Sequence, residues 1–176
     1  MNPAAAVQAG LLVFPPNGGT FPGRGVEPLR FLVDSRGAGA NLPLRAMIVE
    51  GLCAAAAKSP AFDVVGGVAK AGTIWAAWLA WMEAKPLATV ILDGPRSSGL
   101  QRQVEGDVAG KRVLLVDNWI RSGVSIDKAA DIVAKAGGDP VGVVAIARTG
   151  APPIGLPLQA VWDVEELLAA AGGRVG

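Results

Sequence analysis

Histidine is absent from this sequence of 176 residues, and cysteine occurs once, at Cys53. Without imidazole there are no His-based metal sites, no Ser–His–Asp triad and no imidazole general acid. A lone thiol excludes an intramolecular disulfide, and its Ala-rich surroundings favour a buried, inert group over a nucleophile. Charge is sparse, at 18% of residues and a net +1, with no block of one sign. Nothing therefore suggests the basic face that tracks nucleic-acid phosphates, and no nucleic-acid partner is expected. Long apolar runs are lacking too. The most hydrophobic stretch, Ala71–Met82, is bounded by Lys70 and Glu83 and falls short of the roughly 20 residues a spanning helix needs. Met1–Phe14 has no basic leading region of the secretory kind. The expectation is a soluble, cytoplasmic protein without membrane association. Its chemistry must run on carboxylates, Lys, Arg, hydroxyls and backbone amides.

What is present suits one domain around a single core. The first 28 residues are dense in Gly and Pro, which predicts loop and short strand. Arg30–Asp34 reads as a short strand. Asn41 and Pro43 mark a helix start, and Leu44–Lys58 continues as an Ala-rich amphipathic helix ending near Pro60. Strand-like runs then alternate with helices. Asp63–Val68, Leu87–Leu92, Arg112–Val116, Val141–Ala147 and Leu158–Val161 read as strands, and Gly72–Lys85, Ser125–Ala136 and Val164–Ala171 as helices. Apolar strands alternating with helices predict an α/β fold with a mostly parallel sheet covered on both faces. Trp75, Trp78 and Trp81 give one of these helices a broad apolar face for a core or a subunit interface. Asp163, Glu165 and Glu166 suit the N-terminus of the last helix. Residues 93–110 form a long polar loop, and such loops are more often functional than accidental.

Ligands of open α/β sheets bind beyond the carboxyl ends of the strands. Val113-Leu-Leu-Val-Asp-Asn-Trp-Ile-Arg-Ser-Gly-Val-Ser125 lies at such a place, running from strand through a turn into a helix. Backbone amides and the helix start converge at the turn, and Ser122 and Ser125 add hydroxyls, an arrangement that favours a phosphate. Asp117 and Asn118, just before the turn, suit the vicinal hydroxyls of a sugar. The same residues also fit an ordinary strand–helix connection in which Ser122 or Ser125 caps the helix. The turn is neither a Walker loop nor a Gly-x-Gly-x-x-Gly dinucleotide turn. Trp119 holds an apolar position beside the polar pair and reads as packing, with contact to the ribose or the base as the alternative.

This segment resembles the phosphoribosyl-diphosphate (PRPP) motif of type I phosphoribosyltransferases: a hydrophobic strand, two acids, two apolar residues, then Thr-Thr-Gly-Gly/Thr-Ser/Thr. Other stretches resemble the orotate branch of that family in the same order. Val65-Gly-Gly-Val-Ala-Lys-Ala-Gly72 is similar to its strand and pyrophosphate-binding loop. Gln103-Val-Glu-Gly106 followed by Gly110-Lys-Arg-Val113 is similar to the stretch after its mobile catalytic loop. Phe31-Leu-Val-Asp-Ser-Arg36 is similar to its N-terminal strand. The resemblance covers about residues 20–150.

The resemblance implies a Rossmann-like type I fold with a small N-terminal hood over residues 1–40 and an α/β core over 41–176 carrying a mobile loop at 93–110. It implies transfer of phosphoribose from PRPP to a nitrogen base, with orotate the default and pyrimidine biosynthesis the setting. Arg121, Ser122, Gly123, Val124 and Ser125 would hold the 5′-phosphate, and Ala69, Lys70, Ala71 and Gly72 the pyrophosphate with Arg102. Asp117, Asn118 and Arg96 would serve catalysis, and Arg148 would contact the base. Mg²⁺ would arrive with PRPP, with Asp117 its one candidate protein ligand, and a homodimer would form. Departures accompany this. Asn118 replaces an acid, Arg121 a Thr, and Val124 a Gly or Thr. Counting back from Gly106 puts Leu92 and Asp93 where the family has an Arg-Lys pair, Arg96 at a later Lys, and Ser98-Gly99 at a His-Gly. Gly18–Pro28 departs from the Ser-Gly-x-x-Ser pattern near the base. A non-catalytic PRPP- or nucleotide-binding regulator on the same fold and an unrelated phosphate-binding α/β domain stay open as alternatives.

Overall fold

The computed structural model describes residues 1–23, 28–94 and 100–172. It opens with a helix, α1 (Pro3–Gln8), where loop and strand were expected. Its cause is local. The Asn2 side chain accepts hydrogen bonds from the amides of Ala4 and Ala5 at 3.0 and 3.3 Å, and Pro3 presets the first helical residue. The Gly- and Pro-dense stretch begins only after Phe14. β1 (Leu12–Val13) then pairs antiparallel with β2 (Leu32–Val33), and a single bridge joins Phe21 to Leu29. A short helix, α2 (Ser35–Ala38), follows, capped by Asp34 Oδ1 accepting from the Gly37 amide at 2.9 Å. Of these pieces, Pro22, Leu29 and residues 32–36 reach the edge of the main sheet, where the expected hood would lie.

The core follows the predicted alternation: α3 (Leu42–Ala56), β3 (Val64–Val68), α4 (Ala71–Met82), β4 (Leu87–Val90), β5 (Val104–Glu105), β6 (Arg112–Ile120), α5 (Val124–Lys135), β7 (Asp139–Arg148), β8 (Leu158–Asp163) and α6 (Val164–Ala170). Asn41 caps α3, its side chain accepting from the Leu44 amide at 3.1 Å. The sheet order is β5-β4-β3-β6-β7-β8, parallel throughout except for β5. β5 lies within the expected long loop and pairs antiparallel with β4. Just beyond this pairing, the Ile91 amide donates to the Gln103 carbonyl at 2.8 Å and Gln103 Nε2 donates back to the Ile91 carbonyl at 3.4 Å.

α3 and α4 pack on one face of the sheet and α5 on the other, while α1 packs against α6. Central strand residues such as Leu114, Leu115, Val143 and Ala145 are wholly buried, as strands covered on both faces require. The three tryptophans of α4 divide. Trp75 lies in the core at 1% exposure, whereas Trp81, separated from it by about 120° around the helix axis, is 80% exposed.

Candidate active site

All five parallel strands deliver their carboxyl ends to one edge of the sheet. β3 leads through α4 to β4 on one side, while its neighbour β6 leads through α5 to β7 on the other. The connections therefore diverge between β3 and β6, and a crevice opens at that switch point. A cleft of about 980 Å³ fills it, lined by residues 68–71, Leu92, residues 117–126 and Thr149, and roofed from the hood by Pro22, Leu29 and residues 32–36.

The β3 side of the cleft is set by close packing. A Cβ on Gly72 would lie 2.3 Å from the Val116 carbonyl oxygen, and one on Gly67 would lie 2.6 Å from Thr73 Cα. Only glycine lets the start of α4 press against β6, which brings residues 69–71 beside Asp117. Lys70 heads α4 without any side-chain cap, and the peptide bond Ala69–Lys70 is cis. Lys70 is exposed at the cleft wall, and Gly72 lies buried behind it.

On the β6 side the strand runs four residues further than expected, to Ile120. Asp117 and Asn118 therefore sit on the strand itself, half-buried, with the Asn118 amide donating to Asp117 Oδ1 at 2.8 Å. Gly123 makes the turn at φ 82°, the left-handed region, and a Cβ there would also meet Ile154 Cγ2 at 2.2 Å. Its carbonyl accepts from the amides of Ile126 and Asp127 at 2.8 and 3.0 Å. α5 starts with no side-chain cap, so neither Ser122 nor Ser125 serves as one. The amides of Val124 and Ser125, ahead of these two bonds, have no carbonyl within the helix to donate to, and the helix start faces the cleft with both serines on its wall. Val124 occupies an ordinary helical position, 68% exposed, because the left-handed residue is Gly123.

The cleft brings Asp117, Asn118, residues 121–125, Ala69, Lys70 and Ala71 together. Arg121 lies with its guanidinium 5.3 Å from the Trp119 ring centroid. Two expected site residues stand elsewhere. Arg102 is exposed before β5 and does not line the cleft. Arg148 does not line it either, because its guanidinium forms a two-pronged pair with Asp163 at the end of β8, the Nη2–Oδ2 contact being 3.3 Å. That hydrogen-bonded pair holds the Asp163 carboxyl below its ordinary range and raises the guanidinium. Asp163 thus binds Arg148 as well as standing at the start of α6. Arg96 lies outside the described residues. Sequence reasoning missed Arg36, which reaches the cleft from α2, and Thr149, the first residue past β7. The signal for Thr149 was its place at a strand's carboxyl end.

The family model for the phosphoribosyl transferase domain matches residues 40–155. The chain is 35% identical over 123 residues to an orotate phosphoribosyltransferase of Pyrobaculum aerophilum, covering 65% of this chain and 63% of that protein. It is 31% identical over 154 residues to the orotate phosphoribosyltransferase of Pyrobaculum calidifontis, covering 83% and 79%. The aligned part thus spans less than two thirds of the first relative's length. The orotate phosphoribosyltransferase structure from Aeropyrum pernix superimposes with a TM-score of 0.78 at 21% identity, over 98% of this chain and 99% of that one.

Proposed function

The chain belongs to the type I phosphoribosyltransferase family and is most like its orotate branch, and from that premise we propose that it transfers phosphoribose from PRPP to orotate. The observation that carries this reading is the crevice between β3 and β6, where Lys70, Asp117, Asn118 and the uncapped start of α5 face one another. The amides and serines of residues 121–125 take the 5′-phosphate. Asp117 and Asn118 hold the ribose hydroxyls, and Lys70 with the loop before α4 takes the diphosphate. A ring nitrogen of the base then attacks C1 of the ribose as the diphosphate leaves with its bonding electrons, and the nitrogen's proton passes to an oxygen of the departing diphosphate. The residues act by positioning and by offsetting charge as cationic character develops at the ribose.

A divalent cation fits as part of the substrate. Among the described residues no three of His, Cys, Asp or Glu gather into a metal cage, whereas Asp117 and a diphosphate offer the oxygen donors that Mg²⁺ prefers. When bound, Mg²⁺ would neutralise the leaving diphosphate. A homodimer belongs to the same proposal, with the outer face of α4 as its contact. Ile74, Trp78, Trp81 and Met82 on that helix are 49%, 39%, 80% and 58% exposed, an apolar face that water does not favour.

Incubation with PRPP, Mg²⁺ and orotate, followed by mass spectrometry, tests the reading. Orotidine 5′-monophosphate is expected, and its formation should collapse in Asp117→Asn. PRPP binding without product would leave a regulatory protein in place of the enzyme. No PRPP binding would overturn both.

A further inference from the structure

We propose that Thr149 is a specificity-determining residue, its hydroxyl donating to a carbonyl or carboxylate oxygen of the planar base, with Trp119 fixing its orientation. The inference rests on the transferase reading, and it assigns the base contact to a residue other than Arg148.

Thr149 is pinned at the cleft edge by its own amide, which donates to the Ile120 carbonyl at 2.9 Å. Trp119 Nε1 donates to Thr149 Oγ1, also at 2.9 Å, and both residues line the cleft. An indole N–H can only donate, so in this bond the threonine oxygen accepts. The hydroxyl proton is thereby left for another partner, and no described residue accepts it. The indole is itself held in place. Phe31 packs against it with ring centroids 5.5 Å apart, and the Arg121 guanidinium lies 5.3 Å from its centroid. Trp119 follows directly on Asp117 and Asn118, and Thr149 directly follows the neighbouring strand β7, so its hydroxyl shares the cleft with the residues that hold the ribose in the proposed reaction. Arg148, one residue earlier, is turned to Asp163. Thr149 is half-buried, and a planar base seated against it would cover the hydroxyl, so an analogue lacking the matching oxygen would leave that donor unpaired.

The test compares KM for orotate and for PRPP in wild type, Thr149→Val, Thr149→Ser and Trp119→Phe, with thermal melts to confirm folding. Thr149→Val keeps the shape and loses the proton. It should raise the orotate KM about tenfold and leave the PRPP KM within about twofold of wild type. Thr149→Ser should restore the orotate KM. Trp119→Phe, which keeps a ring and loses the N–H, should raise the orotate KM while sparing that for PRPP. If Thr149→Val does not fold, the serine and Trp119 variants decide. An unchanged orotate KM, or an equal rise in both constants, overturns the inference. If wild type yields no product, the transferase reading fails separately, and calorimetric titration of orotate into the PRPP- and Mg²⁺-loaded protein decides. Weaker orotate binding in Thr149→Val then supports the role of Thr149. Equal binding, or none by wild type, ends it.

Discussion

Asn118 differs from an aspartate by an amide in place of one carboxylate oxygen, and its position beside Asp117 makes that difference consequential. An amide can hydrogen-bond a ribose hydroxyl, but it brings no negative charge to a cationic transition state. Asn118→Asp is therefore expected to raise kcat on the order of tenfold or more, with the PRPP KM little changed, as measured by steady-state kinetics. Residues of this kind were legible in the sequence because Asp117, Asn118 and residues 121–125 are contiguous, and the passage from strand through turn to helix fixes what they face. Arg36 and Thr149 were not. Their relation to the cleft exists only once the hood folds back over the sheet edge and β7 aligns with β6. Arg148 drew attention through the family resemblance, and only the three-dimensional structure brings Asp163, fifteen residues on, beside it.

The Arg148–Asp163 pair also ties the ends of β7 and β8 together, since these two residues are partners in the parallel ladder. Hydrogen bonding from the guanidinium lowers the Asp163 pKa, against a smaller opposing effect of burial. A depressed folded-state pKa gives stability that is fully present above the ordinary carboxylate value of about 4 and lost as pH falls through the folded value. Thermal melts should therefore place Asp163→Asn below wild type at neutral pH, and the two curves should converge as the pH drops below about 4. Core elements were readable from the alternation of apolar strands and helices. The end of β6 was not, because Asp117 and Asn118 interrupt its apolar run while the ladder to β7 continues, pairing Asp117 with Ala145 and Trp119 with Ala147. α1 escaped because a cap and a proline outweighed the loop-like composition that follows it.

For the whole molecule, the exposed face of α4 is the feature that association would explain. Light scattering should find a dimer of the wild-type chain and a monomer of Trp81→Glu, with circular dichroism unchanged because Trp81 lies outside the core. The tryptophan spacing announced an apolar helix face. Which of the three rings turned inward depended on the helix phase set by Gly67 and Gly72 against their neighbours. The Ile91–Gln103 pair carries a different kind of consequence. The chain leaves the sheet at one residue and returns to it at the partner of that same residue, fastened by two hydrogen bonds. The two ends are thus clamped to each other by the sheet, and a chain twice as long between them would add only about 0.6 kcal/mol of closure entropy.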